Sequence, residues 1–158
     1  MSTDPHSFLN DVFYVKHASL LCRSYERFTG KPLLTFTVDP NECITKLFDA
    51  PFALVSHGTE EDPIFNFGNQ TALDLFELTW PQFTVLASRM SAEPLNREKR
   101  QMLLDRVARH GYIDNYKGIR ISSTGRKFLI ENATVWNIVD DLDRYHGQAA
   151  AFNKWSYL

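Results

Sequence analysis

The chain has 158 residues, 44% hydrophobic and 13% aromatic with 12 phenylalanines, enough for one ordinary domain with a sizeable aromatic-rich core and too short for two. A net charge of −2 and a pI near 6.2, with neither half strongly basic, argue against nucleic acid or an anionic membrane surface as partner. No apolar run reaches the roughly 18 residues of a membrane span, and the opening MSTDPHSFLND lacks the basic region and apolar block of a signal peptide, which points to a cytoplasmic protein.

Asp4-Pro5 has the form of a helix N-cap followed by proline at the first helical position. Leu9, Val12, Phe13, Leu20, Leu21 and Tyr25 then recur at helical spacing until Gly30 and Pro32 stop them, which predicts a first helix from Pro5 to Phe28. Asp39-Pro40 repeats the start signal for a short second helix carrying Ile44, Leu47 and Phe48 and ended by Pro51. Residues 1–50 thus form an N-terminal helical extension. Cys22 and Cys43 lie in these apolar-periodic segments without CxxC spacing, the pattern of two buried free thiols.

Residues 51–158 form the main domain. Phe52 to Ser56 and Pro63 to Phe67 predict two strands around the turn His57-Gly58-Thr59-Glu60-Glu61-Asp62. Asn69 caps a helix with Ala72, Leu73, Leu75 and Phe76. Thr79 and Gln82 make a capping box for another helix to about Ala87. After the polar stretch Ser88 to Arg100, Met102, Leu103, Val107 and Ala108 mark a longer helix that closes at Gly111. Three antiparallel strands then end the chain: one around Ile119 and Ile121, a long one from Arg126 to Val139, and one from Gln148 to Trp155.

In strict alternation the long strand carries Leu129, Ala133, Val135 and Val139 on one face and Phe128, Ile130, Trp136 and Ile138 on the other. Both faces are apolar, so both must be covered. Short internal helices suit one face, and the N-terminal helix or a second subunit suits the other, which makes a homodimer through the sheet or that helix a candidate assembly. Asn132 and Thr134 share the second face with Phe128, Ile130 and Trp136, setting two hydrogen-bonding groups and an indole in an apolar concavity. This is the predicted small-molecule pocket, with Arg120 and Gln148 as neighbours on adjacent strands.

The segments SHGTEEDPIFNFGNQTALDLFELTW, SRMSAEPLNREKR, GYIDNYKGIRISSTGRKFLIENATVWNIVD and GQAAAF, with HASLLCRSYERFTG upstream, closely resemble the MEKHLA domain, a PAS-like family. The resemblance implies an α+β fold: a PAS-like antiparallel five-stranded sheet with short helices on one face, here behind an N-terminal helical extension. It also implies a sensory or regulatory module rather than an enzyme. The family pattern has proline where this chain has Ala87, which bears on the local loop only.

Other candidate sites are weaker. His57 with Glu60, Glu61 and Asp62 offers one imidazole and several carboxylates to a cation, but it also reads as a solvated acidic turn, and no metal-spaced histidines or cysteines support a metal site. Ser56 beside His57 points to the opposite strand face and has no GxSxG elbow. Arg97, Lys99 and Arg100 oppose the helix dipole at the start of the long helix. Arg97 either anchors an anionic ligand or locks the adjoining loop, and the group is otherwise a surface ion-pair network with Glu93 and Glu98. His110 ends the helix that supplies the haem ligand in some PAS sensors, yet its position also suits a cation at a helix C-terminus. Cysteine-adduct flavin chemistry is excluded because both cysteines precede the PAS-like core, whereas plain flavin binding stays open. An enzyme built on His57, Glu93 and Arg97 is the remaining alternative and requires those groups to converge.

Overall fold

The computed structural model describes residues 7–34 and 39–158. The start signal expected at Asp4-Pro5 lies outside the described residues. A 3-10 turn at Ser7–Asn10 precedes helix α1, Val12–Thr29. The expected single helix is divided because the Asp11 carboxylate accepts from the Phe13 backbone nitrogen at 2.8 Å and caps a fresh start. Helix α1 ends at Gly30, whose φ of 72° is left-handed. Helix α2, Pro40–Phe48, packs beside it, and the free Cys22 and Cys43 sulfurs meet between them at 3.3 Å.

Strands β1, Ala53–His57, and β2, Phe65–Gly68, lead into α3, Gln70–Phe76, and α4, Trp80–Phe83. The capping box at Thr79 and Gln82 forms as expected, but α4 stops before Ala87. The following residues run beside β2 instead: Leu86 O accepts from Phe65 N at 3.0 Å and Ala87 bridges Ile64. A 3-10 turn at Ser88–Ser91 leads to α5, Pro94–His110. Strands β3, Tyr112–Ile121, β4, Lys127–Val139, β5, Tyr145–Phe152, and β6, Lys154–Tyr157, complete the chain.

The sheet order is β2-β1-β5-β4-β3, with β6 also on β4 and every pairing antiparallel. Strands β5 and β6 keep one register against β4, Thr134 opposite Ala151 and Ile130 opposite Trp155, and are interrupted only at Asn153. They are the single last strand expected from the sequence, lengthened at its start to Tyr145.

Alternation along β4 is not strict. Asn132, opposite that interruption, has a φ of 54°, a conformation asparagine tolerates better than most residues. Before it, Phe128 faces α3, its ring 5.3 Å from Phe76. After it, the odd residues face the same side: Val135 packs on Leu103 and Val107 of α5, and Asn137 Nδ2 donates to the Val107 carbonyl at 2.9 Å. Trp136 faces α1. The bulge exchanges the two faces midway along the strand.

The chain itself covers both faces. Helices α1 and α2 lie on one, with Ala18, Leu21, Ile44 and Leu47 in the same buried core as Leu54, Phe67 and Trp136. Helices α3 and α5 lie on the other, and α4 packs at the β2 edge with Phe83 against Phe65 and Phe76 and Trp80 against Phe8, Tyr14 and Phe48.

Candidate ligand-binding site

Between the sheet and helices α3 and α5 lies a cavity of about 50 Å³. Most of its wall is apolar, with Val55, Phe65, Phe76, Leu103, Ile130, Val135 and Phe152 supplied by six different elements. Into this wall come His57, Arg100, Tyr116, Arg120 and Gln148. A cleft of about 230 Å³ opens on the outer side of His57, Arg100, Leu104 and Gln148, with Asp62, Arg89 and Gln101 on its rim. Arg89 Nε holds both Asp62 carboxylate oxygens there, at 3.1 and 3.2 Å.

The two cavity arginines are the unusual feature. Arg100 lies on the apolar stripe of α5, three residues before Leu103 and seven before Val107, so helical geometry turns it inward. It is only 7% exposed, and Arg120 on β3 only 9%. Arg100 Nη2 donates to Ser88 Oγ at 2.8 Å. Arg120 donates to the Ile119 carbonyl at 2.8 Å and the Tyr116 hydroxyl at 3.3 Å, its guanidinium 5.6 Å from the Tyr116 ring centre. Neither pairs with a carboxylate among the described residues. Burial, reinforced by the charge of Arg120, lowers the Arg100 pKa to about 10, which leaves it cationic at neutral pH.

His57 adds an unmet acceptor. Its Nδ1 lies 3.1 Å from the Gly58 carbonyl. A carbonyl only accepts, so Nδ1 carries the proton and the neutral ring leaves a lone pair on Nε2. That Nε2 is buried and has no hydrogen-bond partner among the described residues. Burial lowers the His57 pKa, opposed by the Gly58 carbonyl and by the neighbouring Gln148 side chain, which lies beside the ring without meeting hydrogen-bond geometry at Nε2, and reinforced by Arg100. Gly147 fixes β5 against this residue: its φ is 122°, and a Cβ there would stand 2.0 Å from the His57 carbonyl oxygen, so only glycine fits.

The residues expected from the sequence divide between four places. Arg120 and Gln148 line the cavity, and so does the wall side of β4 through Ile130. Phe128 is fully buried on the same side of the sheet against Phe76. Asn132, Thr134 and Trp136 do not share that side, because the Asn132 bulge turns the strand over. Asn132 and Thr134 line a separate cleft of about 190 Å³ with Tyr25 and Leu33. Trp136 is sealed beneath α1, its indole nitrogen donating to Ser24 Oγ at 3.1 Å and its ring edge-on to Tyr25. Arg97 locks the loop, its Nε donating to the Ala92 carbonyl at 3.0 Å, and Glu93 pairs with Lys127 at 3.2 Å. Arg97 and Glu93 therefore do not converge with His57 as an enzyme site would require. His110 is exposed at the end of α5 and is not part of the cavity wall. No group of three or more metal-ligating side chains occurs among the described residues. Arg100 is not among the ligand-site residues expected from the sequence, and His57 is expected there only as a cation or enzyme candidate, although the Arg100-Leu103-Val107 spacing is itself the signal for the first.

The opposite sheet face holds a second buried histidine. Ser56 Oγ donates to Asn66 Oδ1 at 2.5 Å and lies 2.9 Å from His17 Nε2. A hydroxyl has one proton, so His17 donates to Ser56, the reverse of what a base activating a nucleophile does. Burial first, and the His146 charge second, hold the His17 pKa down from 6.5 to about 4. The folded state thus prefers the neutral ring. Its contribution is fully present above the unfolded pKa of 6.5 and is lost as pH falls toward 4. Urea midpoints should drop by the equivalent of about 2.5 kcal/mol between roughly pH 7.5 and pH 4.5 on account of His17. His57 acts in the same direction, so the His17→Gln variant isolates the term: a pH profile no flatter than that of the wild type would refute it.

The family model of the MEKHLA domain matches residues 15–157. The chain belongs to the MEKHLA domain family. It is similar to the homeobox-leucine zipper protein ATHB-9 of Arabidopsis thaliana, 33% identical over 148 residues that cover 87% of this chain and 17% of that protein. It is also similar to the homeobox-leucine zipper protein HOX9 of Oryza sativa subsp. japonica, 25% identical over 142 residues, covering 89% of this chain and 17% of that protein. This MEKHLA chain therefore spans about one sixth of the length of these curated relatives. Among solved structures, a PAS domain from Colwellia psychrerythraea superposes with a TM-score of 0.62 at 16% identity, covering 76% of this chain and 98% of that one. The light-state dimer of the fungal blue-light photoreceptor Vivid gives 0.59 at 10% identity, covering 89% and 92%. The MEKHLA chain has the PAS-like α+β fold. No described helix is long and apolar enough to cross a membrane.

Proposed function

We propose that this MEKHLA domain is a non-enzymatic sensory or regulatory module that holds a small molecule between its sheet and helices and signals through protein contacts of residues 1–50. One observation carries the reading: the cavity between sheet and helices is lined by two buried arginines and by His57, and among the described residues neither arginine pairs with a carboxylate and the buried His57 Nε2 has no partner. Buried charge without a counter-charge and buried polar atoms without partners are costly, and a bound molecule satisfies both. The sensory role follows the PAS-like fold, an associational argument, and no transcription-factor activity is transferred from the much longer relatives. The volume of about 50 Å³ is far below the several hundred Å³ of cavities that enclose drug-sized ligands, which argues against flavin or haem in this conformation.

A ligand-free dimerisation domain is the second reading, favoured by Val12 and Phe13, which are 68% and 52% exposed at the start of α1. Thermal melting of the purified protein across a panel of small metabolites separates the two. Binding in the cavity gives a saturable rise in Tm that is lost in the cavity-filling variant Ala150→Val. No rise with any compound, together with a dimer that Phe13→Asp dissociates, favours the second reading instead.

A further inference from the structure

Resting on that reading, the chemistry of the cavity specifies what it holds. We infer that the ligand is a small 2-hydroxycarboxylate, its carboxylate held by Arg100 and Arg120 and its hydroxyl donating to Nε2 of His57. Two guanidiniums from different elements, α5 and β3, are buried together without a carboxylate among the described residues. Their mutual repulsion and desolvation oppose folding unless an anion joins them. The guanidinium fork suits a planar carboxylate.

Nε2 of His57 asks for something different. Its partner Gly58 places the proton on Nδ1, so the free nitrogen presents a lone pair that repels a bare carboxylate oxygen and accepts from a hydroxyl. A ligand with an anionic end and a neighbouring O–H meets both demands. Volume sets the size. At roughly 10–15 Å³ per water-sized position, a cavity of about 50 Å³ takes about three to five non-hydrogen atoms, the size of glycolate. The apolar wall of Val55, Ile130 and Val135 accommodates its carbon. His57, Arg100 and Gln148 also border the outer cleft, so the polar groups lie on the side from which an anion enters.

The test is titration of the full chain with glycolate, acetate, inorganic phosphate and the neutral glycolamide at constant ionic strength, read by calorimetry and thermal shift. Glycolate is expected to bind saturably and about tenfold tighter than acetate. Arg100→Gln and Arg120→Gln should each weaken it about tenfold to a hundredfold, and His57→Phe should bring glycolate down to the acetate level. The two arginines lie on different elements, so if circular dichroism shows that one variant fails to fold, the other still decides. Phosphate bound as tightly as glycolate overturns the carboxylate assignment, and acetate bound as tightly as glycolate overturns the His57 contact. If glycolamide binds and the anions do not, the anion assignment falls while the cavity remains a binding site. If no probe binds and the metabolite panel is also silent, the cavity reading falls with it.

Discussion

Replacing Asn69 with alanine should cost several kcal/mol and leave most of the protein unfolded or aggregated at physiological temperature. The side chain is fully buried and makes four hydrogen bonds. Its Oδ1 accepts from Leu54 N at 3.0 Å and Ala72 N at 3.1 Å, and its Nδ2 donates to the Leu47 carbonyl at 3.1 Å and the Phe52 carbonyl at 2.7 Å. One amide thus joins the end of α2, the entry to β1 and the first turn of α3. Truncation strips partners from four backbone groups, each worth about 1–3 kcal/mol when buried and unsatisfied. Against a total stability of about 5–15 kcal/mol, that is most of the margin. Asn69→Ser should recover only the helix cap, about 1 kcal/mol. Denaturant midpoints decide the matter: Asn69→Ala within about 1 kcal/mol of the wild type would mean that the other groups find water.

Asn69 also marks where sequence reading succeeds and where it stops. That it caps α3 follows from local chemistry, since an asparagine before an apolar helical run satisfies free backbone donors. That its other end reaches Leu47 and Phe52 depends on how two distant segments meet, which no local pattern records. The same division holds elsewhere. The strands, the capping box at Thr79 and the helix closed by Gly111 follow from spacing and punctuation. The resemblance of long segments to the MEKHLA family brought the fold with them. Phe128 and Ile130 part from Trp136 for one reason: strict alternation does not hold through Asn132, where a single left-handed residue reverses every side chain beyond it. The local hint of the bulge is that Asn132 stands opposite Asn153 on the neighbouring strand, asparagine being a residue that tolerates a left-handed backbone. Arg100 was hidden by its neighbours. In Arg97, Lys99 and Arg100 charge looks like surface, yet only Arg100 shares the stripe of Leu103 and Val107, and only it is buried.

The consequence can be measured at Trp136. With the strand turned over, its indole is a fully buried peg between β4 and α1, bonded to Ser24 and edge-on to Tyr25 at 4.9 Å. Trp136→Ala should destabilise by about 3–5 kcal/mol, the cost of a large core truncation. Trp136→Phe keeps much of the volume and gives up the bond to Ser24, whose own hydroxyl still donates to the Leu20 carbonyl at 2.6 Å, so about 1 kcal/mol is expected. Both effects should appear in denaturant midpoints. The dissociation constant of any molecule held beside Arg100 and Arg120 should be nearly unchanged in Trp136→Phe, because the sheet stands between the indole and that cavity. A weakening of tenfold or more, about 1.4 kcal/mol, without matching loss of stability would return Trp136 to the pocket and refute the reversal of faces at Asn132. If stability alone changes, the indole serves to clamp α1 to the sheet, and a signal that passes between the cavity and the N-terminal helices must cross β4 through the strand that both sides share.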